Sequence, residues 1–387
     1  MESGADGVCR LIGGVHVRDL ERQLMTAVTD SPEEPLRIDL RKVTFLEPIA
    51  LLYLFQTLVN RAHLDLETLL DLPASQRVRD FLRVWNLPEA LKVATGKGLL
   101  RFVTRESERY FGEKQVYYTH ARADTLEQYL ASQRFFGLTA RQVGGSMRHA
   151  QLVEREWSRW RKPLILRILN RHLRGSGRDI ARVVIYELLT NAVQHPGATT
   201  VAVVSKAYGA FEAGRYEDKS FEVGVWDNGE SIVKTLRTAL DAGGEIRAGS
   251  PSTIDEFHLK AVDWEPKQDV YRSDWTPAPS AANSELLLAS FFQGISQKPF
   301  RPDIKLIEMP EEQRDGTRIG DGLHALYRSA IDDFGGSIAV RSGDAFMNLR
   351  GDSDEENSYR VKLQRFPDWP EFSGNMVTVR IPVSEKS

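Results

Sequence analysis

The N-terminal part of the chain has an order of hydrophobic and polar residues that predicts alternating strands and helices. The stretch LRIDLRKVTF (36–45) alternates apolar and polar positions, which indicates a strand with one buried face. The apolar run 48–63 predicts a helix packed on a sheet, and LETLLDLP (66–73) predicts a second strand. Residues 75–91 follow with helical periodicity. This order predicts a small α/β domain.

From about residue 151 the pattern predicts a different arrangement. Helices are expected at 151–173, at 180–195 and, between two pairs of glycines, at 320–336. The predicted strands are 198–208, 221–226, 337–343, 359–366 and 375–383. Helices combined with several hairpin-like strands predict an α+β sandwich, with helices on one face of a mixed sheet.

Composition narrows the class of protein without naming a function. The 387 residues predict two domains, and 41% hydrophobic with 27% charged residues is ordinary for a soluble protein. A net charge of −3 gives no sign of a nucleic-acid surface. The single cysteine, Cys9, excludes an intramolecular disulfide. No signal peptide and no membrane-length apolar run are recognised, so a cytoplasmic location without membrane contact is expected.

The helix predicted at 180–195 carries three polar residues on one stripe. Glu187, Asn191 and His195 are spaced four residues apart, so their side chains lie on the same side of the helix. The residues between them are mostly apolar and anchor the helix in a core. A carboxylate, an amide and an imidazole in line therefore indicate a functional face. For His195 the alternative is an imidazole that interacts with the helix dipole.

Four stretches of the second half occur in a familiar order. They are ELLTNAVQH (187–195), WDNGES (226–231), GDGLHAL (320–326) and GNMVTVRIP (374–382). Together they resemble the GHKL superfamily, the ATP-binding fold shared by gyrase, heat-shock chaperones, histidine kinases and mismatch-repair ATPases. The resemblance covers roughly residues 175–385 and implies ATP and Mg²⁺ as the bound cofactors.

The first stretch would serve the phosphate end of the nucleotide. The resemblance implies that Asn191 is the Mg²⁺ ligand, since an amide oxygen is a hard ligand of the kind that Mg²⁺ prefers. Glu187, one turn earlier, matches the residue that orients or deprotonates the attacking water in the ATPase branches. His195 matches a position near the phosphates.

The second stretch would serve the base. Asp227 ends an apolar strand and matches the aspartate that accepts a hydrogen bond from the adenine amino group. Asn228 lies in the same turn and is assigned to the nucleotide with it. Gly229 lets the backbone approach the base closely. A turn aspartate followed by Asn-Gly is the alternative for this motif taken alone.

The last two stretches complete the implied site. Gly320 and Gly322 precede a helix that begins at Leu323, so their N–H groups can face the triphosphate. No Walker lysine motif occurs in the chain. Gly374 and Asn375 match the final box, where a threonine often follows the glycine. The asparagine departs from that pattern and can still bond to a water that bridges to Asp227.

The segment 230–318 stands where compact GHKL members have a short lid. A loop of this length is expected to have structure of its own, so we predict an elaborated lid with one or two helices, for example at SELLLASFFQGI. Its aromatic residues are expected to form the lid's own core, with a partner or substrate surface as the alternative. These residues are Phe257, Trp264, Tyr271 and Trp275.

The first hundred residues resemble the STAS domain of sulfate transporters and anti-sigma-factor antagonists in the order of their elements. The turn that carries a phosphorylatable hydroxyl in that family is here FLEPIAL, with Glu47, Pro48 and Ile49 at the matching positions. The resemblance implies a degenerate STAS-like module that docks a partner instead of accepting phosphate. A generic α/β domain is the alternative.

Three domains and three functions follow as expectations. The domains are a STAS-like domain at 1–100, a helical connector at 101–150 and a GHKL domain at 151–387. A helix-turn-helix around LTARQV in the connector receives little support from the charge balance. The GHKL unit is expected to be an ATPase switch or a serine/threonine kinase of the anti-sigma-factor type, with a nucleotide sensor without turnover as the alternative. A protein partner would bind through the STAS-like domain or the lid, and a homodimer is an open alternative.

Histidine autophosphorylation is not expected. The family's phosphoacceptor helix reads H-E-[LF]-R-x-P, and the nearest histidine, His149 in SMRHAQLVERE, lacks that context. It also stands too close to Glu187 for the usual dimerising hairpin.

Overall fold

The structure is a computed structural model, and it describes a large part of the chain. The described residues are 8–29, 33–105, 135–143, 185, 188–189, 191–192, 197–212, 215–241, 258–261, 282–291, 323, 326, 328–351, 358–365 and 372–382. They form a mixed α/β fold with one parallel sheet and one sheet of mainly antiparallel strands. The helical pattern 151–173 and the four aromatic residues of the predicted lid lie outside the described residues.

A three-stranded parallel sheet organises the N-terminal part. Its strands are β1 (Val8–Val15), β2 (Leu36–Leu46) and β3 (Thr68–Asp71), in the order β1-β2-β3. Helix α1 (Val17–Thr29) connects the first two strands and α2 (Pro48–His63) connects the second pair. The predicted strands at 36–45 and 66–73 and the helix at 48–63 are confirmed. Strand β1 and helix α1 were not predicted.

Helix α2 is the core of this part because its first two turns are apolar. Pro48 occupies the first turn, where its missing N–H has no intrahelical partner to lose. Ile49 to Phe55 are at most 5% exposed, so the helix is buried on nearly every side. The first polar contact at its far end comes from Arg61, whose Nε donates to Thr68 Oγ1 at 2.9 Å and so ties α2 to β3.

The single helix predicted at 75–91 is wrong, because two helices occupy this stretch. They are α3 (Gln76–Val84) and α4 (Leu87–Thr95). Asn86 between them adopts the left-handed conformation, with φ of 65°, and Pro88 in the first turn of α4 cannot donate a backbone hydrogen bond to the preceding turn. The hydrophobic stripe continues across this stretch although the helix is interrupted at Asn86.

A strand, β4 (Phe135–Gln142), lies where a helical connector was predicted. The helix-turn-helix considered around LTARQV is excluded, since these residues are extended. The backbone N–H of Leu138 donates to Trp85 O at 2.8 Å, and Asn86 Nδ2 donates to Leu138 O at 3.2 Å. The other residues between 106 and 150, except Val143, lie outside the described part.

The second sheet has eight strands in the order β4-β5-β6-β11-β8-β9-β10-β7. The strands not yet introduced are β5 (Thr200–Glu212), β6 (Arg215–Asp227), β7 (His258–Ala261), β8 (Ser337–Gly343), β9 (Ala345–Gly351), β10 (Ser358–Arg365) and β11 (Phe372–Pro382). The strand predictions at 198–208, 221–226, 337–343, 359–366 and 375–383 are confirmed. Strands β7 and β9 were not predicted. The pair β10–β7 is parallel, and the pairs β10–β9, β11–β6, β11–β8 and β8–β9 are antiparallel.

Alternation along β8, β9 and β11 gives this sheet one apolar face. Ile338, Met347 and Val379 are fully buried. Their neighbours in sequence on the opposite face are half-buried or exposed, as at Asn348 and Arg380. Such alternation is expected for an antiparallel sheet covered on one side.

In the described residues of the segment predicted as an elaborated lid there are two helices, and both pack on the sheet. Helix α5 (Ile232–Asp241) contacts β8, and α6 (Asn283–Ala289) contacts β9, β10 and α5. Arg237 Nη2 donates to Asn283 Oδ1 at 3.1 Å, and Asn283 Nδ2 donates to Asp344 Oδ1 at 2.6 Å. The prediction that this segment contains helices is confirmed, and these contacts hold both helices to the β8–β9 turn.

The chain divides into two compact units. The first comprises Met1–Gln142, Ala202–Lys206 and Asp368–Pro370, and the second comprises Val143–Val201, Ala207–Pro367 and Glu371–Ser387. In the part of the chain that the structure describes, no helix has both the length and the apolar character needed to cross a membrane.

The cysteine of β1 lies deep in the first unit. Cys9 is 1% exposed and forms no disulfide. Burial, with a smaller contribution from the Asp39 carboxylate, raises the pKa of the Cys9 thiol to about 12. The thiol therefore stays protonated at neutral pH and is a poor nucleophile.

This burial predicts slow thiol chemistry in the folded chain. At pH 8 the native protein should react with a disulfide reagent such as DTNB only as fast as the first unit opens. Denaturant should make the reaction immediate, and a Cys9→Ser control should give no signal. Rapid and complete labelling of the native protein would contradict the buried position of β1.

Candidate functional site

A buried carboxylate stands at the end of β6. Asp227 is 2% exposed and is the last residue of that strand. The antiparallel register places it directly opposite Asn375 of β11. Taking a carboxylate out of water is costly unless donors replace the lost hydration, so the neighbours of Asp227 decide whether the site is stable.

The donors to the Asp227 carboxylate include one backbone group and one side chain. The backbone N–H of Gly229 donates to Asp227 Oδ1 at 2.9 Å, which closes the D-N-G turn. Asn375 Nδ2 lies 3.3 Å from Oδ1 and 3.4 Å from Oδ2. The contact between Asn375 and Asp227 is thus direct, where the sequence suggested a bridging water. The two donors fix the plane of the carboxylate.

Asn375 itself is completely buried and uses both ends of its amide. Its Oδ1 accepts from Ser342 Oγ at 2.7 Å and from the backbone N–H of Ile232 at 2.8 Å. Its Nδ2 also donates to Glu230 O at 3.2 Å. One side chain therefore joins the ends of β6, β8 and β11 to the first turn of α5.

The start of α5 is built into the same cluster. Ser231 caps the helix, with its Oγ accepting from the backbone N–H of Lys234 at 3.2 Å. Gly343, at the end of β8, has a φ of 54°, and a Cβ there would lie 2.6 Å from Val233 Cγ2. Glycine at this position lets the helix approach the end of the sheet closely.

Asn228, predicted as a nucleotide contact, directs its side chain to the start of β5. Its Oδ1 accepts from the backbone N–H groups of Thr199 and Thr200 at 2.8 and 2.7 Å. Its Nδ2 donates to Thr199 Oγ1 at 2.8 Å. The amide thereby anchors the turn that carries Gly229.

Two features require a glycine at position 374: its backbone conformation and its close approach to Asp227. Its φ is 80°, in the left-handed region, and the register of β11 against β8 shifts between Phe372 and Asn375. A Cβ on this residue would overlap the carbonyl oxygen of Asp227. The glycine of the GNMVTVRIP stretch thus brings β11 against the end of β6.

The polar helix of the second unit is described at five positions. Ile185, Leu188, Leu189 and Ala192 are helical and at most 3% exposed, which confirms a core-facing helix here. Asn191 is half-buried, and its Nδ2 is buried without a hydrogen-bond partner among the described residues. A buried donor in this state costs about 1–3 kcal/mol, so an acceptor is expected to come to it.

The structure brings some of the predicted site residues together. Asp227, Gly229, Gly374 and Asn375 form one hydrogen-bonded cluster, with Asn228 behind the turn. Leu323 is helical and half-buried. Four predicted residues lie outside the described part: Glu187, His195, Gly320 and Gly322.

Ser342 and Ile232 belong to the cluster but were not predicted. Their contributions are a hydroxyl at a strand end and a backbone N–H at a helix start, which residue spacing does not reveal. In the described ranges, no group of three or more His, Cys, Asp or Glu side chains is arranged to hold a metal ion.

Comparison with known proteins adds no relative. No protein-family model matches the chain, and no curated protein matches its sequence. The cluster around Asp227 and the Asn191 Nδ2, which has no partner in the part of the chain described, are therefore the observations on which a function can be based.

The close approach at Gly374 predicts a large loss of stability on adding one methyl group. Gly374→Ala must either open the β6–β11 pairing or move Asp227, and we expect a loss of more than about 3 kcal/mol in the free energy of unfolding. Gly335→Ala is the matched control, because Gly335 also has positive φ, 62°, but nothing lies near its added Cβ. That control should lose only about 1 kcal/mol. Equal losses in denaturant titrations would contradict the close approach.

Proposed function

We propose that the second unit binds ATP with Mg²⁺ and belongs with the GHKL ATP-binding proteins that its four sequence stretches resemble. The observation that carries the proposal is the buried carboxylate of Asp227, held by Gly229 and Asn375 at the end of a strand. Its position in the D-N-G turn is where the resemblance expects the adenine contact.

The chemistry of the carboxylate suits adenine. An ionised carboxylate only accepts hydrogen bonds, and the exocyclic amine of adenine only donates them. Guanine would present a carbonyl oxygen in the same place, so two acceptors would face each other. Rejecting a base in this way leaves buried polar groups unpaired, which costs more than a lost apolar contact.

The phosphate end of the proposed site is represented by Asn191. Its unpartnered Nδ2 can donate to a phosphate oxygen. Turning the amide about its last bond exchanges nitrogen and oxygen, so the same side chain can instead offer Mg²⁺ an oxygen ligand. Mg²⁺ keeps several waters and binds phosphates through few protein ligands, so a single amide on a core-facing helix is compatible with it. The bound ion would supply charge neutralisation at the triphosphate.

The proposed reaction depends on Glu187, one turn before Asn191. As general base it would take a proton from the attacking water, which makes the protein an ATPase switch. A serine/threonine kinase acting on a STAS-like protein is the second candidate, and a sensor without turnover is the third. Gly320, Gly322 and Leu323 are proposed to serve the triphosphate, with His195 nearby.

The kinase candidate is favoured by one feature of the first unit. Glu47 precedes α2, and its Oε2 accepts from the backbone N–H of Val17 at 3.2 Å, with His16 Nδ1 3.5 Å away. A carboxylate thus occupies the turn where STAS proteins carry a phosphorylatable hydroxyl. We propose that this unit is a degenerate STAS-like module that docks a protein partner and is not itself phosphorylated.

The adenine contact predicts the effect of neutralising one carboxylate. Asp227→Asn replaces an acceptor with an amide and should weaken ATP binding about 10–100-fold, the range expected for one hydrogen bond to a charged group. Isothermal titration of the full chain with ATP and Mg²⁺ measures this. Asp241→Asn, an exposed change at the end of α5, is the matched control and should bind as the wild type. Unchanged affinity in Asp227→Asn would remove the proposed site.

The reaction is tested with ATP labelled on its γ-phosphate. If the protein is an ATPase, labelled inorganic phosphate is released, and Glu187→Ala should abolish release while ATP still binds. Label on an added STAS-domain protein would select the kinase. Binding without release or transfer would select the sensor. Turnover that persists in Glu187→Ala would contradict the general-base role.

A further inference from the structure

We propose that Asn375 is the positioning residue that holds Asp227 as the acceptor for the base. This inference rests on the proposed ATP site and adds to it the group that sets the orientation of the carboxylate. Asn375 does not contact the base itself, because both ends of its amide are already engaged within the protein.

The orientation of the Asn375 amide follows from partners with fixed roles. The backbone N–H of Ile232 can only donate, so the atom 2.8 Å from it must be the amide oxygen. Glu230 O and the Asp227 carboxylate can only accept, so the atom facing both must be the NH₂ group. A flipped amide would place like groups against each other on both sides. Ser342 Oγ, which can donate or accept, adapts to this arrangement.

An asparagine is therefore required where the resembled family often has a threonine. A threonine hydroxyl supplies one donor and cannot both receive the Ile232 N–H and offer hydrogens to two acceptors. An aspartate has the right shape but only acceptors, so it would place a second carboxylate 3–4 Å from the first, on the order of the present amide contact. Two buried carboxyl groups at such a distance do not both ionise, and the pair holds a shared proton until the pH is raised.

The isosteric change Asn375→Asp replaces the NH₂ donor, which is present at every pH, with a carboxyl group that donates a hydrogen bond only when it is protonated. At pH 5.5 the shared proton restores an O–H donor between the two residues, and ATP binding should stay within about 10-fold of the wild type. At pH 8.5 the proton is lost, the carboxylates repel, and ATP binding should fall by a further 30-fold or more, by our order-of-magnitude expectation for a broken charged contact. The wild type has an amide in this place and should show no such extra pH dependence.

The experiment uses the full chain and titrates ATP with Mg²⁺ at both pH values. Wild type, Asn375→Asp and Asn348→Asp are compared. Asn348→Asp is the matched control, because it makes the same substitution in the same sheet, on β9, at a half-buried position of the opposite face. Asn375→Thr is the second variant and should bind ATP more weakly than the wild type at both pH values. Circular dichroism and thermal unfolding at each pH show which variants remain folded.

The outcomes separate this inference from the proposed function. Loss of affinity at pH 8.5 and recovery at pH 5.5, in Asn375→Asp alone, support the positioning role. If the wild type binds ATP and Asn375→Asp binds it equally at both pH values, Asn375 does not orient Asp227, and the ATP site stands. If the wild type binds no ATP, the proposed function fails. If Asn375→Asp fails to fold, wild-type affinity in Asn375→Thr overturns the inference, and weakened affinity supports it.

Discussion

A carboxylate removed from water has to be surrounded by donors, and this requirement shapes the end of the second sheet. Asp227 is 2% exposed, and its donors include the Gly229 N–H and the Asn375 amide. For Asn375 to serve, β11 must run close beside β6, and that approach is possible because Gly374 has no side chain. The oxygen of the same amide accepts from the first N–H of α5, so the helix begins where the carboxylate is held.

The cluster around Asp227 also holds the start of α5 at the sheet, and a separate set of contacts holds α6 there. Helix α5 starts two residues after the D-N-G-E turn and is capped by Ser231 and by Asn375. Helix α6 is attached through Asn283 to Arg237 and Asp344. A ligand that contacts Asp227 would therefore contact a carboxylate that is linked to the start of α5 through the Asn375 amide. Nucleotide binding and the position of this helix are coupled in the account proposed here.

The sequence predicts most strands and the main helices because burial alternates along them. The alternation of 36–45 and the apolar run 48–63 lead directly to β2 and α2. The break between α3 and α4 was missed because hydrophobic periodicity continues across Asn86, whose left-handed backbone leaves no trace in that pattern. Strand β4 was missed because its pairing partners are far away in the sequence, and such contacts override local preference.

In the candidate site, too, some residues could be predicted from the sequence and others could not. Asp227, Gly229, Gly374 and Asn375 could be selected from their stretches, and the structure places them in one cluster. The role of Ser342 could not be predicted from the sequence. It depends on the pairing of β8 with β11, which brings the Ser342 hydroxyl to the amide of Asn375. The direct contact between Asn375 and Asp227 likewise depends on the register of β11 against β6.

The proposed hydrogen bond between an adenine base and the Asp227 carboxylate can be observed through the donors that already hold this carboxylate. The most direct measurement is the nuclear magnetic resonance of the ¹⁵N-labelled full chain, following the backbone signal of Gly229 and the side-chain NH₂ signal of Asn375 during titration with ADP and then GDP. Both groups donate to Asp227, so both signals should shift with ADP and stay in place with GDP at the same concentration. Shifts of equal size with both nucleotides, or no shift of either signal with ADP, would contradict the account.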